Sequence, residues 1–551
     1  MIRPAKRPQL NALRHHWHHG AMNAARKTGG PVAKWGPSGG FGPLVLLALM
    51  ALLACQREPA SPHTVVMAWE AFPLSMDPRL GQDQASQRLL SLTHQGLVRR
   101  DANLELAPDA CSAWRWEVPF TVLDFEFPKP ERARCGFGPG QPLTARDAMD
   151  AIEALRDPNL ASPKAGPFKE EIAGLEAFST ATADHLRIRL KAPDPGFPSN
   201  LARGVLGIAP AGARGERLPG SGPYRIVAVI PEQRILLEAK RDHPDFANHA
   251  GIAQDLDLRL MPDANTRLLA LRHGSVQAAL NNLPADLLRP GQGFAIRRSP
   301  GANLDYVIFN CRSGPLADAW VRRALSLALD RPSMIRGLFG GMAEEAWGFF
   351  PPRLAHGMDI RQELSIPSDH ASALWQAAGM LDACGWRRNA QGVRFTLHLS
   401  STAEVSSQLK ALAIQAQWRA LGVDVRILTR EFGTLFSEVS TGKFEMASLR
   451  WTGACDPEML VRVFHSRNQP PNGFNRGGFQ DAEVDRLLDA SHQANDPRER
   501  LALLHQAQRR ILEQSPYAFL WWPDQIAALA PGLDMDLNGV GDFTGVFRIR
   551  P

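Results

Sequence analysis

Trp451, Gly453 and Asp456 fall within one short run, Trp451-Thr452-Gly453-Ala454-Cys455-Asp456-Pro457. An indole offers a flat apolar face, a glycine lets a backbone come close, and a carboxylate holds a cation or a hydrogen-bond donor. Such a set grips a small solute and breaks no bond. Glu431 and Arg476 add one charge of each sign, the latter closing the loop Pro470-Pro471-Asn472-Gly473-Phe474-Asn475-Arg476. Each has a plainer reading beside the binding one. Trp451 packs in a core or forms a plate. Asp456 caps a helix over 458–464 ahead of Pro457, or meets solute. The 470–476 loop is solvated, or it faces a cleft.

Reactive chemistry finds less support. No H-E-x-x-H and no C-x-x-C occurs, so the spacings of a zinc protease or a redox dithiol are missing. Gly36-Pro37-Ser38-Gly39-Gly40 fits G-x-S-x-G, but no strand precedes it and no helix follows, so the nucleophile turn is not built. An enzyme, a cofactor and a bound metal are therefore not expected.

The candidate residues need elements that bring them to one edge. Phe395, Leu397 and Leu399 alternate with polar residues as a half-buried strand does. A helix over 403–421 follows and stops at Gly422, then a strand through Val423, Val425 and Ile427, a helix over 432–441, and a strand over 444–449. Alternating strands and helices predict a parallel sheet with right-handed crossovers. Ligands of such sheets bind outside the carboxyl ends of the strands. Here those ends are Ser400-Ser401-Thr402, Thr429-Arg430-Glu431 and the Trp451–Pro457 run.

Upstream, Leu304 to Pro332 reads as a strand over 306–309 and an amphipathic helix capped by Asp318 and closed at Arg331-Pro332. Its periodicity turns Val321, Ala324, Leu325 and Ala328 inward and Arg322, Arg323 and Asp330 to water. Strands are predicted at 64–69, 120–127, 186–190 and 519–522. Helices are predicted at 84–97, from Thr144 to Leu155, over 482–491, and from Asp496 onward. Gly220-Ser221-Gly222-Pro223-Tyr224 reads as a tight turn whose glycines supply positive φ.

A chain of 551 residues, 44% hydrophobic, is too long for one ordinary domain, and two or three lobes are expected. Its net charge of +6 does not point to nucleic acid. Residues 1–55 hold four Arg and three Lys and no acid, which leaves 55 basic against 56 acidic residues beyond them. That basic leader precedes the apolar run Leu44–Ala54. Eleven residues are short of the roughly 20 needed to span a bilayer, but they suit the core of a secretory signal. His15, His16, His18 and His19 lie in this leader, ahead of an alternative start at Met22, and are not read as a metal site. Cys111 and Cys135 fall in one segment and have two readings: a disulfide in an oxidising compartment, or buried free thiols.

As a word pattern, Asn310, Pro315-Leu316-Ala317-Asp318, Val321-Arg322-Arg323-Ala324-Leu325 and Ala328-Leu329-Asp330-Arg331 resemble the signature of family 5 extracellular solute-binding proteins. That family includes the oligopeptide, dipeptide and nickel receptors of ABC importers. Asp77-Pro78, Gly96-Leu97-Val98, Gly140–Asp147 and Gly220–Tyr224 resemble further family landmarks, in the family's order, over about 65–547. Leu52-Leu53-Ala54-Cys55 resembles the lipobox of bacterial lipoproteins, in which the cysteine is acylated.

The resemblance implies an α/β, periplasmic-binding-protein-like (class II, venus-flytrap) fold of two lobes with an extra domain. Residues 1–55 would be a lipoprotein signal and 56–63 a tether. Lobe I would be built from 64–98, 217–305 and 517–551, the extra domain from 99–216, and lobe II from 306–516, hinged near 306–309 and 516–520. It implies a monomeric lipoprotein of the periplasm or cell envelope that closes over short peptides and delivers them to ABC permease subunits, with no cofactor and no nucleic acid. A non-peptide solute (a metal chelate, a sugar-like or an antibiotic-like compound), or a sensory or scaffold role without transport, is the second reading. Implied ligand contacts are Phe72, Leu74, Tyr306, Glu431, Trp451, Gly453, Asp456 and Arg476. Peptide receptors that resemble this chain hold the ligand's ammonium with an aspartate three residues after the tryptophan. Here that position is Ala454.

Overall fold

The computed structural model describes residues 64–541 and 547–549, apart from 102, 134, 216, 248–254, 282, 284–286, 289–290, 292, 359, 362, 471–472 and 495. The leader, Cys55, the alternative start at Met22 and the tether lie outside the described residues. Three sheets organise the rest.

The alternation at 395–399 becomes the strand Phe395–Thr402, and the helix Val405–Leu421 ends where Gly422 takes a left-handed φ of 90°. The strand Val423–Arg430 pairs with it in parallel from Phe395↔Val423 to Thr402↔Arg430. Met446–Trp451 pairs in parallel on its other side. The expected parallel unit is present, and its third strand runs to Trp451 rather than stopping at Leu449. Leu304–Phe309, Tyr517–Pro523 and Ala343–Glu345 extend it with antiparallel pairs into a six-stranded mixed sheet. One face buries Val307 and Phe309 with Trp418 and Trp521. The other buries Leu304, Tyr306 and Ile308 with Tyr517, Phe519 and Trp522.

The second large sheet has Thr64–Trp69 at its centre, parallel to Asp255–Leu260 and Ala278–Leu280, with Gln525–Leu529 and Ala295–Ser299 beyond. A separate four-stranded antiparallel sheet, Ala113–Val118, Val122–Pro128, Ala183–Leu190 and Ile172–Ser179, carries its own core from Leu97 to Ile208. The chain therefore passes between the two large sheets twice, over 300–303 and at Asp524. These crossings lie beside the positions expected for a hinge, and Tyr517–Pro523 pairs in the six-stranded sheet with Leu304–Phe309 rather than in the sheet of Thr64–Trp69. They also touch. A Cβ at Gly301 would lie 1.8 Å from the Pro523 carbonyl oxygen, so only glycine fits there.

Several local expectations are corrected. The helix capped by Asp318 ends at Leu327, and Arg331-Pro332 opens the next helix, Arg331–Phe339, with Asp330 as its N-cap. Proline at the first turn fits that role, since its missing N–H has no helical partner there. Arg322 is buried rather than wet, donating to the carbonyls of Leu316, Ala317, Gln514 and Ser515. Phe120 sits in a left-handed turn at φ 58°, before the strand that starts at Val122. Gly220 and Gly222 have no positive φ; their lost side chains make room for the helix end, where added Cβ atoms would lie 1.9 Å from the Thr93 oxygen and 2.6 Å from its carbonyl carbon. Cys111 and Cys135 are both free thiols. Cys111 donates to the Leu97 carbonyl at 3.1 Å, and Gln95 Nε2 donates to the Cys135 sulfur at 3.4 Å.

Candidate functional site

Trp451 is the last residue of its strand, at the carboxyl end of the parallel unit, and is half-buried. Pairing in the neighbouring antiparallel strand sets Tyr306 opposite Leu449, and Tyr306 stacks on Trp451 with ring centroids 6.1 Å apart and planes 10° off parallel. On its other side Tyr306 stacks on Tyr517 at 4.5 Å and 7°. The cluster continues to Phe474, 5.7 Å from Trp451, and to Phe436 on the helix Phe432–Ser440.

Arg476 lies among these rings. Its guanidinium carbon is 4.7 Å from the centre of Phe436, 5.3 Å from Trp451 and 5.4 Å from Phe474. The loop that carries it is held rather than loose. The buried Asn475 amide donates to the Phe479 carbonyl at 2.7 Å and the His465 carbonyl at 3.2 Å, and accepts from the Phe479 N–H at 2.9 Å. Gly477 follows where a Cβ would lie 2.5 Å from the Phe309 carbonyl oxygen. The Arg312 side chain donates to the Arg476 carbonyl at 3.1 Å. The Tyr306 hydroxyl lies within hydrogen-bonding reach of Arg476 and Tyr517. Burial pushes both phenols well above the usual tyrosine range, so both stay neutral. Trp451 Nε1 is buried and makes no hydrogen bond of ordinary geometry among the described residues.

The other sequence candidates divide. Glu431 is exposed and caps the helix that carries Phe436, accepting from the Thr434 N–H at 3.1 Å. The helix-start N–H groups of Gly433 and Thr434 hold its carboxyl below the ordinary range. Gly453 takes the left-handed φ of 62° that favours glycine, and donates to Asn303 Oδ1 at 2.9 Å. Asp456 turns toward the small-sheet domain: its carboxylate accepts from the Glu458 N–H at 3.0 Å and from Ser199, and burial raises its pKa. Glu458 beside it pairs with His492 and Arg500 and packs on Gly196. Phe72 packs against the first-lobe core while Leu74 is 87% exposed, both beyond the carboxyl end of the central strand Thr64–Trp69. Ala454 is buried, with its N–H on the Ala302 carbonyl at 2.9 Å.

Tyr306, Trp451 and Arg476, far apart in the chain, thus meet in one cluster. Phe436, Phe474 and Tyr517 complete it and were not singled out by the sequence. The available signal was Phe432 and Phe436, four apart on a helix beside a strand end and both exposed.

The arrangement carries polar and aromatic surface at a strand end and, among the described residues, no paired nucleophile and base. Among the described residues no group of His, Cys, Asp and Glu could hold a metal, and no helix is long and apolar enough to cross a membrane. The family model described as "Bacterial extracellular solute-binding proteins, family 5 Middle" matches residues 135–470. The chain belongs to family 5 of the bacterial extracellular solute-binding proteins. Similar proteins include the di/tripeptide-binding protein 2 of Pseudomonas aeruginosa, 25% identical over 517 residues, covering 87% of this chain and 93% of that one. The glutathione-binding protein GsiB of Escherichia coli O1:K1 is 25% identical over 516 residues, covering 90% and 95%. Among solved structures, NikA from Brucella suis with Fe(III)-EDTA superposes with a TM-score of 0.73 at 19% identity, covering 88% of this chain and 99% of that one. The oligopeptide-binding protein AppA from Bacillus subtilis, with a nonapeptide, gives 0.67 at 19%, covering 89% and 99%. The two-lobe, periplasmic-binding-protein architecture of the peptide-binding type is thereby that of this family 5 chain as well.

Proposed function

We propose that this chain is a lipid-anchored receptor that captures short peptides between its two large lobes and hands them to the permease of an ABC importer. The observation that carries the reading is the exposed aromatic rim, Phe432, Phe436 and Phe474, around half-buried Trp451 at the strand ends where α/β folds take ligands. Likeness to di/tripeptide- and glutathione-binding proteins over most of both chains supports a peptide-like solute. Peptides offer apolar side chains to such rings and charged ends to polar groups. Closure would be a hinge motion at 300–303 and Asp524, which buries the solute and gives the permease a distinct shape to recognise.

The anchor is read from the likeness of the Leu52–Cys55 run to a lipobox, with Cys55 acylated and left as the mature N-terminus. Cys55→Ser is expected to move the protein from the membrane fraction to the soluble fraction; unchanged fractionation would remove the anchor from the reading. The solute assignment is tested by mass spectrometry of what co-purifies with protein beginning at residue 56, paired with thermal shifts against di- and tripeptides. Peptides are expected to co-purify and to raise the melting temperature. If none does either, while metal chelates or other small solutes do, the peptide reading is wrong.

A further inference from the structure

Six arginines are buried among the described residues: Arg88, Arg203, Arg267, Arg322, Arg331 and Arg476. Five are answered by the protein itself. Arg88 pairs with Glu70 and donates to the Gly541 carbonyl. Arg203 lies between Asp109 and Asp245. Arg267 donates to the carbonyls of Met261, Pro262 and Asn281. Arg322 meets four carbonyls, and Arg331 donates to the carbonyls of Phe519, Ser326 and Leu329. Arg476 has no carboxylate and no carbonyl acceptor among the described residues, only the Tyr306 hydroxyl.

A guanidinium has five N–H donors in one plane, and ring faces attract its charge without accepting those protons. Three rings and one phenol therefore leave Arg476 under-answered, at 7% exposure. A cation with little water around it and no anion beside it is unfavourable. The fold nevertheless fixes the residue firmly through Asn475 and Gly477. The neighbouring phenols are neutral, so neither supplies the missing negative charge.

Resting on the peptide reading above, we propose that Arg476 receives a carboxylate of the solute, the C-terminal carboxylate of a short peptide, so that the ligand is oriented by its acid end. The planar fork matches a carboxylate with two parallel hydrogen bonds, and the surrounding rings exclude water from the pair. Selection then falls on the free acid, and the peptide's amino group is not required.

The test is calorimetry on the folded protein beginning at residue 56, wild type, Arg476→Gln and Arg476→Lys, each first checked for a wild-type-like melt. The probes are one tripeptide as free acid, as C-terminal amide, and as N-acetyl acid, together with citrate. We expect the free and N-acetyl acids to bind alike, the amide at least tenfold more weakly, and Arg476→Gln to lose at least tenfold for the acids alone. Arg476→Lys should recover part of that loss, since charge remains but the fork is gone. If acid and amide bind alike and Arg476→Gln changes neither, the carboxylate assignment is overturned while the peptide reading stands. If no peptide binds but citrate does, with the same dependence on Arg476, the peptide reading fails and the carboxylate assignment holds. If neither peptide nor citrate binds wild type, both fall.

Discussion

Asp305 and Tyr306 are neighbours on one strand, and the pleat sends them to opposite faces of the six-stranded sheet. On one face Asp305 accepts from Lys410 at 2.6 Å, from Arg450 at 2.7 Å and from the Trp521 indole N–H at 3.2 Å. On the other, Tyr306 meets Arg476, whose charge no described carboxylate balances. Both faces hold buried charge in aromatic surroundings. They differ in whether the protein completes the pair. The closed cluster ties the strand 304–309 to the helix Val405–Leu421 and to two other strands, so it belongs to the fold. The open one is left for something the chain does not supply.

The largest test of this contrast is Asp305→Ala. It leaves Lys410 and Arg450 facing each other with no anion between them, and should cost about 3–5 kcal/mol, the usual loss when one partner of a buried pair is removed. Urea unfolding of the ligand-free protein reads it directly. A loss no larger than that of an exposed ion pair would mean the cluster is not structural, and the comparison would collapse. The same residue should mark the acid limb. Burial pushes its carboxyl up, but Arg450 and Lys410 outweigh that and hold it at about 2, against an ordinary 3.8. A depressed carboxyl stabilises the fold above its unfolded pKa, and that stability is lost as pH falls through the folded value. About 2 kcal/mol should therefore disappear between pH 4 and 2 in wild type and be missing from Asp305→Ala.

A separate limb lies above it. Burial pushes His94 down to about 3, and His243 and His356 to about 4. Their stabilising share is complete above the unfolded histidine range near 6.5 and declines as pH falls toward 4. Melting temperatures from pH 7 to 2 should show both limbs in wild type and a shallower lower limb in Asp305→Ala, where Asp245, held at about 2 beside Arg203, keeps its own share.

How much of this was open to a reader of the sequence follows the range of each contact. The parallel unit was legible because alternation and a terminal glycine are local signals, and Phe395–Thr402, Val405–Leu421 and Gly422 lie where those signals put them. Arg322 was misread because helical periodicity scores any charge as wet, whereas carbonyls from Gln514 and Ser515, nearly two hundred residues away, make burial acceptable. Tyr517–Pro523 reads as an apolar strand in either lobe, and only its pairing with Leu304–Phe309 decides which. In the site, Trp451 and Arg476 stood out by type and loop position. That they face one another over Tyr306, with Tyr517 and Phe436 as walls, depends on strand pairings no local window contains.

The smallest test removes a single oxygen one residue from the largest. Tyr306→Phe keeps both ring stacks, at 4.5 Å to Tyr517 and 6.1 Å to Trp451, and deletes only the hydroxyl near Arg476. A hydrogen bond to a charged group contributes about 1.5–3 kcal/mol net, so the ligand-free protein should lose no more than that in urea. Affinity for an acid ligand should change less than under Arg476→Gln, because the phenol assists the guanidinium and does not replace it. Should Tyr306→Phe instead cost as much as Asp305→Ala, the hydroxyl would be the partner that completes Arg476. Both faces of the strand would then be closed, and the reason to assign Arg476 to a solute would be gone.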